Sequence, residues 1–210
     1  MGEARGTEGL RQARLGEMIA LPQPRQKGPM SVEQSILRRR SVREFDPEPL
    51  ELHLISQLLW SAQGITSERG FRAAPSAGRA YPIELYLACA EGLFHYRPGE
   101  HALVKVLSDD IRAALARQGK CDGFVAQAPV SLIFAAVYER TTNYYGERGV
   151  RYAHLDIGHA AENVHLQGEA LGLGSCGLGA FDDAAVARVL SLPAEQKPVY
   201  VIPVGRARVR

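Results

Sequence analysis

The sequence predicts an α+β protein, and three observations carry this prediction. A helix-forming stretch runs over residues 150–171 and is ended by the glycines that begin at Gly172. Residues 129–138 are β-branched, small and aromatic, which predicts a strand buried on both faces. An antiparallel meander is indicated by three short apolar or alternating runs separated by turn residues, at 84–90, 93–97 and 102–107.

Length and composition suit one globular domain. The chain has 210 residues, of which 46% are hydrophobic, so it is long enough to bury a core. We predict an N-terminal arm at residues 1–30 and a single domain at 31–210. The 25 basic and 23 acidic side chains give a net charge of +2, which is too balanced for a protein that neutralises a nucleic-acid backbone. We therefore expect no nucleic acid as a partner.

The cysteines and the N-terminus indicate a cytoplasmic protein. Cys89, Cys121 and Cys176 are widely spaced and include no CxxC pair, which argues against a disulfide framework and a zinc knuckle. The first 30 residues lack the apolar block of a secretion signal, and no run of about 18 apolar residues occurs anywhere. The sequence therefore predicts a protein that is neither exported nor membrane-spanning.

The first part of the chain predicts an arm followed by two helices. Residues 21–30 contain prolines and glycine that neither propagate a helix nor pair as a central strand. A short helix is expected within the arm, around residues 10–19. Ser31 and Gln34 form the pattern of a capping box, which predicts the start of the next helix. Apolar residues recur at helical spacing over residues 50–62 and predict another.

Local signals also predict the elements of the second half. Residues 108–110 and Asp182 are side chains typical of helix N-caps, and the helices they begin are expected to end near residues 117 and 190. A final strand is predicted at residues 199–204. Its Pro203 suits an edge strand or a bulge, because proline cannot donate to a ladder.

Residues 38–45 read RRRSVREF and place four arginines and a hydroxyl at the end of a predicted helix. Guanidinium groups make bidentate, charge-assisted contacts to phosphate oxygens, and Ser41 can add a donor. The segment therefore predicts a phosphate site. A solvated basic face, a nuclear-localisation signal or an RNA-binding patch are alternative interpretations.

Two later segments contain small residues that suit a planar ligand. Residues 74–82 read APSAGRAYP, whose small side chains let the backbone approach a ring, although an ordinary turn has the same composition. Residues 172–181 read GLGSCGLGAF and match the dinucleotide pattern GxGxxG. That pattern works only after a strand and before a helix, whereas here it ends a helix. We expect its amides to face a flat ring, or the glycines simply to stop the helix.

Three further features were considered for the site. The C-terminal VGRARVR brings Arg206 and Arg208 after the last strand, either to join the phosphate site or to form a basic tail. Glu162 and His165 have the ExxH spacing of helical di-iron proteins, but there is no second copy, so we predict no metal. Cys176 is a lone cysteine in a glycine loop, for which a structural role is expected.

The segments RRSVREF, PSAGRAYP, YGERGVRYAHLDIGHAAEN, GLGSCGLGAF and IPVGR occur in this order. Together they resemble the nitroreductase superfamily, and in particular its SagB-type dehydrogenase branch, from residue 20 to residue 206. The resemblance implies a nitroreductase-like α+β fold, with a central, mostly antiparallel sheet flanked by helices. It also implies an intertwined homodimer that binds two FMN molecules at the subunit interface, with the apolar residues of the long helix shared between subunits.

The resemblance also implies site residues, carried over by matching motif. The FMN phosphate and ribityl chain would be held by Arg39, Arg40, Ser41 and Arg43. One side of the isoalloxazine would be lined by Pro75, Ser76, Ala77, Gly78 and Arg79. The reactive N5 edge would be approached by a loop of the other subunit, formed by Cys176, Gly177, Leu178 and Gly179. The phosphate pocket would be completed by Arg206 and Arg208.

The resemblance bears on the substrate through two tyrosines. Azoline dehydrogenases of this branch carry a Lys-Tyr pair where this chain has Tyr144 and Tyr145. A tyrosine with the ordinary pKa of about 10 is a poor general base at neutral pH. The expected activity is therefore reduction of a small electron-poor acceptor, a quinone or nitro compound, with NADH or NADPH as electron donor.

Tyr145 is the candidate catalytic residue, which would orient a substrate or donate a proton, and packing at the helix start is its alternative role. Two other functions stay open at this point. One is oxidation of an azoline or another peptide-derived substrate. The other is a module that holds a flavin, a nucleotide or RNA without turnover.

Overall fold

The computed structural model describes residues 8–119 and 122–208, in which helices pack on both faces of one β-sheet. The prediction for Cys121 lies outside the described residues. The helices are α1 (Glu8–Gln12), α2 (Val32–Arg38), α3 (Leu52–Gln63), α4 (Arg112–Ala116), α5 (Asp122–Gln127), α6 (Glu139–Tyr145), α7 (Arg148–Ala170) and α8 (Asp183–Val189). The strands are β1 (Met18–Ala20), β2 (Ile83–Cys89), β3 (Gly92–Arg97), β4 (Ala102–Leu107), β5 (Val130–Val137), β6 (Gly174–Ser175) and β7 (Gln196–Gly205).

The strands form a seven-stranded sheet in the order β1-β4-β3-β2-β5-β7-β6, and all neighbouring strands are antiparallel. The predicted meander is confirmed as β2, β3 and β4. The predicted central strand is β5, which pairs with β2 and β7 and is buried at every residue. The predicted α+β class with a mostly antiparallel sheet is confirmed.

Two hydrophobic cores lie on opposite faces of the sheet. Alternate residues of β5 point to opposite faces, so Phe134 joins one core and Ile133 the other. Helices α3 and α7 cover the first face, while α4, α5 and α8 cover the second. Helix α7 buries Ile157 and Val164 in the core of its own chain, and its Leu155 is exposed.

Most predicted helices are found close to their expected positions. The Ser31 side chain accepts from the Gln34 amide, and the Gln34 side chain accepts from the Ser31 amide, so the capping box is confirmed. Asp182 caps α8 by accepting from the Ala185 amide. At the start of α4 the N-cap position is Ile111 rather than one of residues 108–110, but the predicted Asp110 still accepts from the Arg112 amide at 3.1 Å.

The prediction of one helix over residues 10–19 was wrong. Helix α1 ends at Gln12, and the chain then forms β1, the edge strand that pairs with β4. Leu10 is fully buried in the first core. Part of the predicted arm is therefore built into the fold, while the domain boundary at residue 30 stays a prediction.

The last strand is not at the edge of the sheet, because β7 lies between β5 and the two-residue β6. The carbonyl of Pro203 accepts from the Cys176 amide at 3.3 Å. Since N–H and C=O of one strand residue point the same way, the missing N–H faces the Cys176 side rather than β5. The β5–β7 ladder is regular at Pro203, where neither an edge nor a bulge is found, and its register shift lies at Val199 instead.

No helix of the described residues is long and apolar enough to cross a membrane.

Candidate functional site

The basic segment, residues 39–43, follows α2 and runs beside β6 at the end of the sheet. Ser41 forms a parallel bridge with Ser175, and the Val42 amide donates to the Ser175 carbonyl at 3.0 Å. Gly174 allows this approach, because a Cβ there would lie 2.6 Å from the Val42 Cβ. The sequence-predicted phosphate residues are thus fixed next to the glycine loop, residues 174–179, of the same chain.

The arginines of the basic segment have different surroundings. Arg40 folds back and donates to the carbonyls of Leu37 at 3.0 Å and Arg39 at 2.7 Å, so it caps the end of α2. Arg39 and Arg43 form no ion pair with any carboxylate of the described residues. Their charges are therefore available to an anion, whereas the Arg40 guanidinium already donates to carbonyls at the end of α2.

The C-terminal segment, residues 206–208, pairs with residues 44–46, which follow the basic segment directly. The Asp46 amide donates to the Arg206 carbonyl, and the Arg208 amide donates to the Glu44 carbonyl, both at 2.9 Å. The Arg206 guanidinium forms a salt bridge with Glu51 at 2.8 Å, which lowers the pKa of that carboxyl. Arg206 therefore has a carboxylate partner, while Arg208 is exposed beside the basic segment.

The glycine loop is fastened to β7. The Leu178 amide donates to the Val201 carbonyl at 2.8 Å, and the Val201 amide donates back at 3.0 Å. The Cys176 and Leu178 side chains are buried in the second core, which fits the structural role expected for this cysteine. At Gly177 a Cβ would lie 1.9 Å from the Tyr200 hydroxyl, so the loop lies directly against that ring.

A groove of about 320 Å³ lies between α7 and Tyr200, next to the glycine loop. His165 lines it, and its Nδ1 lies 2.7 Å from the Ser175 hydroxyl. Burial lowers the pKa of His165, and the charge of Arg39 lowers it further, so His165 and Arg39 are electrostatic neighbours. Sequence reasoning considered this histidine only as a metal ligand, and no sequence signal points to its contact with Ser175.

The loop of residues 75–79 is held by α7 through Asp156. The Ser76 hydroxyl donates to the Asp156 carboxylate at 2.6 Å, and the Ala77 amide donates to it at 3.3 Å. The Ser76 oxygen also accepts from the Tyr81 amide at 2.9 Å. Asp156 is only 4% exposed, and burial raises its pKa. Sequence reasoning missed this residue, although it lies in the stretch LDIGH that carried the family resemblance.

Tyr145 lies against the same loop. Gly78 has a left-handed φ of 59°, and a Cβ there would lie 2.7 Å from the Tyr145 hydroxyl. The Tyr145 ring makes edge contacts with Tyr144 at 4.8 Å and with Tyr152 at 5.0 Å between centroids. The structure thus brings the candidate catalytic tyrosine to the loop that was predicted to line the flavin.

The glycine loop and the 75–79 loop are attached to opposite sides of α7. Asp156 and His165 are nine residues apart, and at about 3.6 residues per turn nine steps rotate by half a circle. The sequence assigned residues 176–179 to the site of the other subunit, and this assignment stays a prediction. Pairing of β6 with β7 and the contact at Gly174 place that loop beside the basic segment of its own chain.

We expect Asp156→Asn to lower the free energy of unfolding by about 1–3 kcal/mol, because one of two donors loses its buried acceptor. The measurement is urea unfolding of the variant and the parent protein. Asp109→Asn is the matched control, since Asp109 is exposed. Equal stability of Asp156→Asn and the parent would show that the carboxylate does not hold the loop.

Comparison with known proteins identifies the family. A profile described as Nitroreductase family matches residues 36–206. The chain belongs to the nitroreductase family. It is 42% identical over 183 residues to a Methanocaldococcus jannaschii protein described as a nitroreductase, covering 84% of this chain and 91% of the relative. A Ralstonia eutropha structure described as a nitroreductase has a TM-score of 0.83 and 32% identity, covering 92% of this chain and 90% of that one.

A second relative supports the resemblance to the SagB-type branch. The Microcin B17-processing protein McbC of Escherichia coli is 24% identical over 159 residues, covering 70% of this chain and 58% of McbC. The Escherichia coli microcin synthetase McbBCD complex shares the fold, with a TM-score of 0.72 and 22% identity, covering 97% of this chain and 81% of that one. The predicted family and nitroreductase-like fold are therefore confirmed, and the chain is an oxidoreductase of this family.

The described residues offer no group of three or more His, Cys, Asp or Glu side chains arranged to hold a metal. The nitrogen of His165 that faces Ser175 is also engaged by the serine hydroxyl.

Proposed function

We propose that this nitroreductase-family chain is an FMN-dependent enzyme that uses NADH or NADPH to reduce a small electron-poor acceptor, a quinone or nitro compound. One observation carries the proposal. The basic segment, the glycine loop and the C-terminal segment converge at one end of the sheet in one chain.

The donor set at this place fits a phosphate. Arg39, Arg43 and Arg208 have no carboxylate partner among the described residues, and the Ser41 hydroxyl lies between them in sequence. Arginines and a hydroxyl are the donors that phosphate oxygens prefer. We assign phosphate binding to these four side chains, a supporting role to Arg40 at the end of α2, and positioning of the C-terminal segment to Arg206.

The groove beside the glycine loop fits the flat ring of a flavin. Its walls include the small residues Gly158 and Ala161 of α7 and the planar ring of Tyr200, and Glu162 adds a charged side chain. The glycine loop adds the exposed backbone of Gly179. When bound, FMN supplies the redox chemistry by taking an electron pair from NAD(P)H and passing it to the acceptor. The residues of the chain bind and orient both ligands.

The 75–79 loop supports a homodimer. It lies on the far side of α7 from the glycine loop of its own chain. We therefore infer that the 75–79 loop covering each flavin comes from a second chain. Its Pro75, Gly78 and Arg79 would then face the partner's flavin, and Tyr145 would reach the substrate from behind Gly78. Helix α2 also leaves an apolar face uncovered, with Val32 64%, Ile36 59% and Leu37 72% exposed. A second copy would bury this face.

We expect Ile36→Glu to turn the dimer into monomers that lose FMN, because a charge would be buried at the interface. Analytical ultracentrifugation with flavin absorbance measures mass and FMN loading together. Leu15→Glu is the control, because Leu15 is 63% exposed on a different segment. A folded, FMN-loaded monomer of the parent protein at low concentration would contradict the homodimer.

The substrate is tested by offering two reactions to the FMN-loaded protein. One mixture contains NADH or NADPH with a quinone or nitro compound, and the other contains an azoline-containing peptide. We expect acceptor reduction in the first and no azole formation in the second, because Tyr144 and Tyr145 stand where azoline dehydrogenases carry Lys-Tyr. Efficient azole formation with negligible acceptor reduction would favour the alternative that the relationship to McbC supports weakly.

A further inference from the structure

A second pocket, of about 420 Å³, lies behind the 75–79 loop and shares no residue with the basic segment or the glycine loop. Its floor is formed by β2 and β3, and its walls by Tyr81, Arg72 and the first turn of α6. The volume is in the range of small-molecule sites. Charged side chains line the pocket, and they differ in whether an opposite charge lies in contact with them.

Glu84 is fully engaged inside this pocket. One carboxylate oxygen lies 2.6 Å from His95 Nε2, and the other accepts from the Arg140 guanidinium. Burial raises the pKa of Glu84, but these two hydrogen bonds outweigh it and lower the pKa to about 2. Arg140 also donates to the Tyr81 carbonyl at 3.0 Å. The negative charge of Glu84 is therefore matched by the groups that touch it.

Arg72 is a half-buried positive charge of this pocket that touches no carboxylate of the described residues. Its Nη1 donates to the amide oxygen of the buried Gln63 at 2.7 Å, and its guanidinium lies 4.4 Å from the centre of the Tyr81 ring. It forms no ion pair with a carboxylate in the described part of the chain. The charge of Glu84 acts on Arg72 only from beyond ion-pair distance. A guanidinium has five N–H donors, and a half-buried one that no carboxylate touches is costly. Burial accordingly lowers the pKa of Arg72.

The neighbours hold Arg72 in one orientation. Gln63 fixes one edge of the guanidinium and the Tyr81 ring supports its face, so little side-chain freedom is left to lose when a ligand binds. Arg97, which is exposed, adds a second positive charge among the residues that line the pocket. The exposed Glu100 also lines it and forms no ion pair with Arg72. This arrangement suits a small molecule that carries an oxyanion.

We propose that this pocket binds a small organic anion, a carboxylate or a phosphate ester, through the Arg72 guanidinium. The site is separate from the proposed flavin and acceptor sites. Its occupant would lie against Tyr81, whose amide donates to the Ser76 side chain, so binding there would act on the 75–79 loop. The proposal does not depend on the identity of the flavin or the acceptor.

Isothermal titration calorimetry on the full chain saturated with FMN tests this site. The titrants are inorganic phosphate and, separately, succinate, which distinguish a phosphate from a carboxylate ligand. We expect at least one to bind, and Arg72→Gln to weaken that binding by about ten- to hundredfold. Arg69→Gln, a change at an exposed arginine three residues earlier, should leave the affinity unchanged.

Two further measurements keep the result unambiguous. Phosphate held by the basic segment would compete with FMN, and its affinity would fall in Arg39→Ala. Phosphate held by Arg72 would not compete with FMN, and its affinity would be the same in Arg39→Ala. If Arg72→Gln does not fold, Arg72→Lys keeps the charge but loses the planar fork, and it should bind at least tenfold more weakly. Binding of neither anion, or equal binding by the parent and the Arg72 variants, would overturn the proposal.

Discussion

Replacing either Arg39 or Ser41 with alanine is expected to weaken FMN binding by about ten- to hundredfold. A hydrogen bond to a charged group contributes about 1.5–3 kcal/mol, and each 1.4 kcal/mol is tenfold in affinity. Arg39 has no carboxylate partner among the described residues, so its charge is available to the phosphate. Fluorescence titration of FMN into the apoprotein gives the dissociation constants directly.

Arg38→Ala is the matched control for these variants. Arg38 is the last residue of α2, is exposed and adjoins Arg39, but it has no assigned contact with the flavin. The affinity of the Arg38→Ala protein for FMN should equal that of the parent protein. Unchanged affinity in both Arg39→Ala and Ser41→Ala would remove the phosphate assignment.

Gly174→Ala is expected to reduce both stability and FMN affinity. The added methyl would lie 2.6 Å from the Cβ and Cγ2 atoms of Val42, well inside van der Waals contact. Overpacking of this kind costs about 1–3 kcal/mol. Relief of the clash requires the basic segment to move away from β6, which breaks the hydrogen bond from the Val42 amide to Ser175. We therefore expect FMN affinity to fall at least about tenfold as the phosphate donors shift.

Gly123→Ala is the control for this substitution. Gly123 is an exposed residue of α5, and a Cβ there would meet nothing within 4 Å. Alanine is favoured over glycine in a helix, so stability should stay equal or rise slightly, and FMN binding should not change. Urea unfolding and FMN titration are measured on both variants. A Gly174→Ala protein with parental stability and affinity would show that the close contact does not position the basic segment.

The parts of the fold that local sequence determines were predicted well. The capping box at Ser31 and the Asp182 N-cap depend on residues within one helical turn. The meander depends on apolar runs between turn residues, and β5 depends on a run of β-branched, small and aromatic residues. Such signals lie within a few residues of one another, so a single sequence is enough to read them.

Contacts between distant segments were not predictable from the same signals. The edge strand β1 has only three residues, and its pairing with β4 decides its conformation. The salt bridge from Arg206 to Glu51 joins residues 155 positions apart. Neither segment differs in composition from an ordinary loop or tail, so local reasoning predicted an arm helix, and it placed Arg206 at the phosphate site or in a basic tail.

The candidate site likewise contains residues that local sequence signals reveal and residues that they do not reveal. Its segments were found because arginines, small residues and glycines are recognisable in sequence, and the family resemblance joined them. Asp156 and His165 were missed as site residues because an ordinary helix face carries similar side chains. Which chain supplies the glycine loop to each flavin stays a prediction. The packing of Gly174 on Val42, which places that loop beside the basic segment of its own chain, has no local sequence signal.

An anaerobic absorption spectrum of the purified chain tests the central proposal most directly. We predict that the protein takes up FMN, shows visible flavin absorption, and bleaches when NADH or NADPH is added. Colour should return when a quinone or nitro compound is supplied. A colourless protein that takes up no FMN and carries nucleic-acid absorbance would contradict a flavin enzyme, and an FMN-loaded protein that neither nucleotide reduces would contradict the NAD(P)H link.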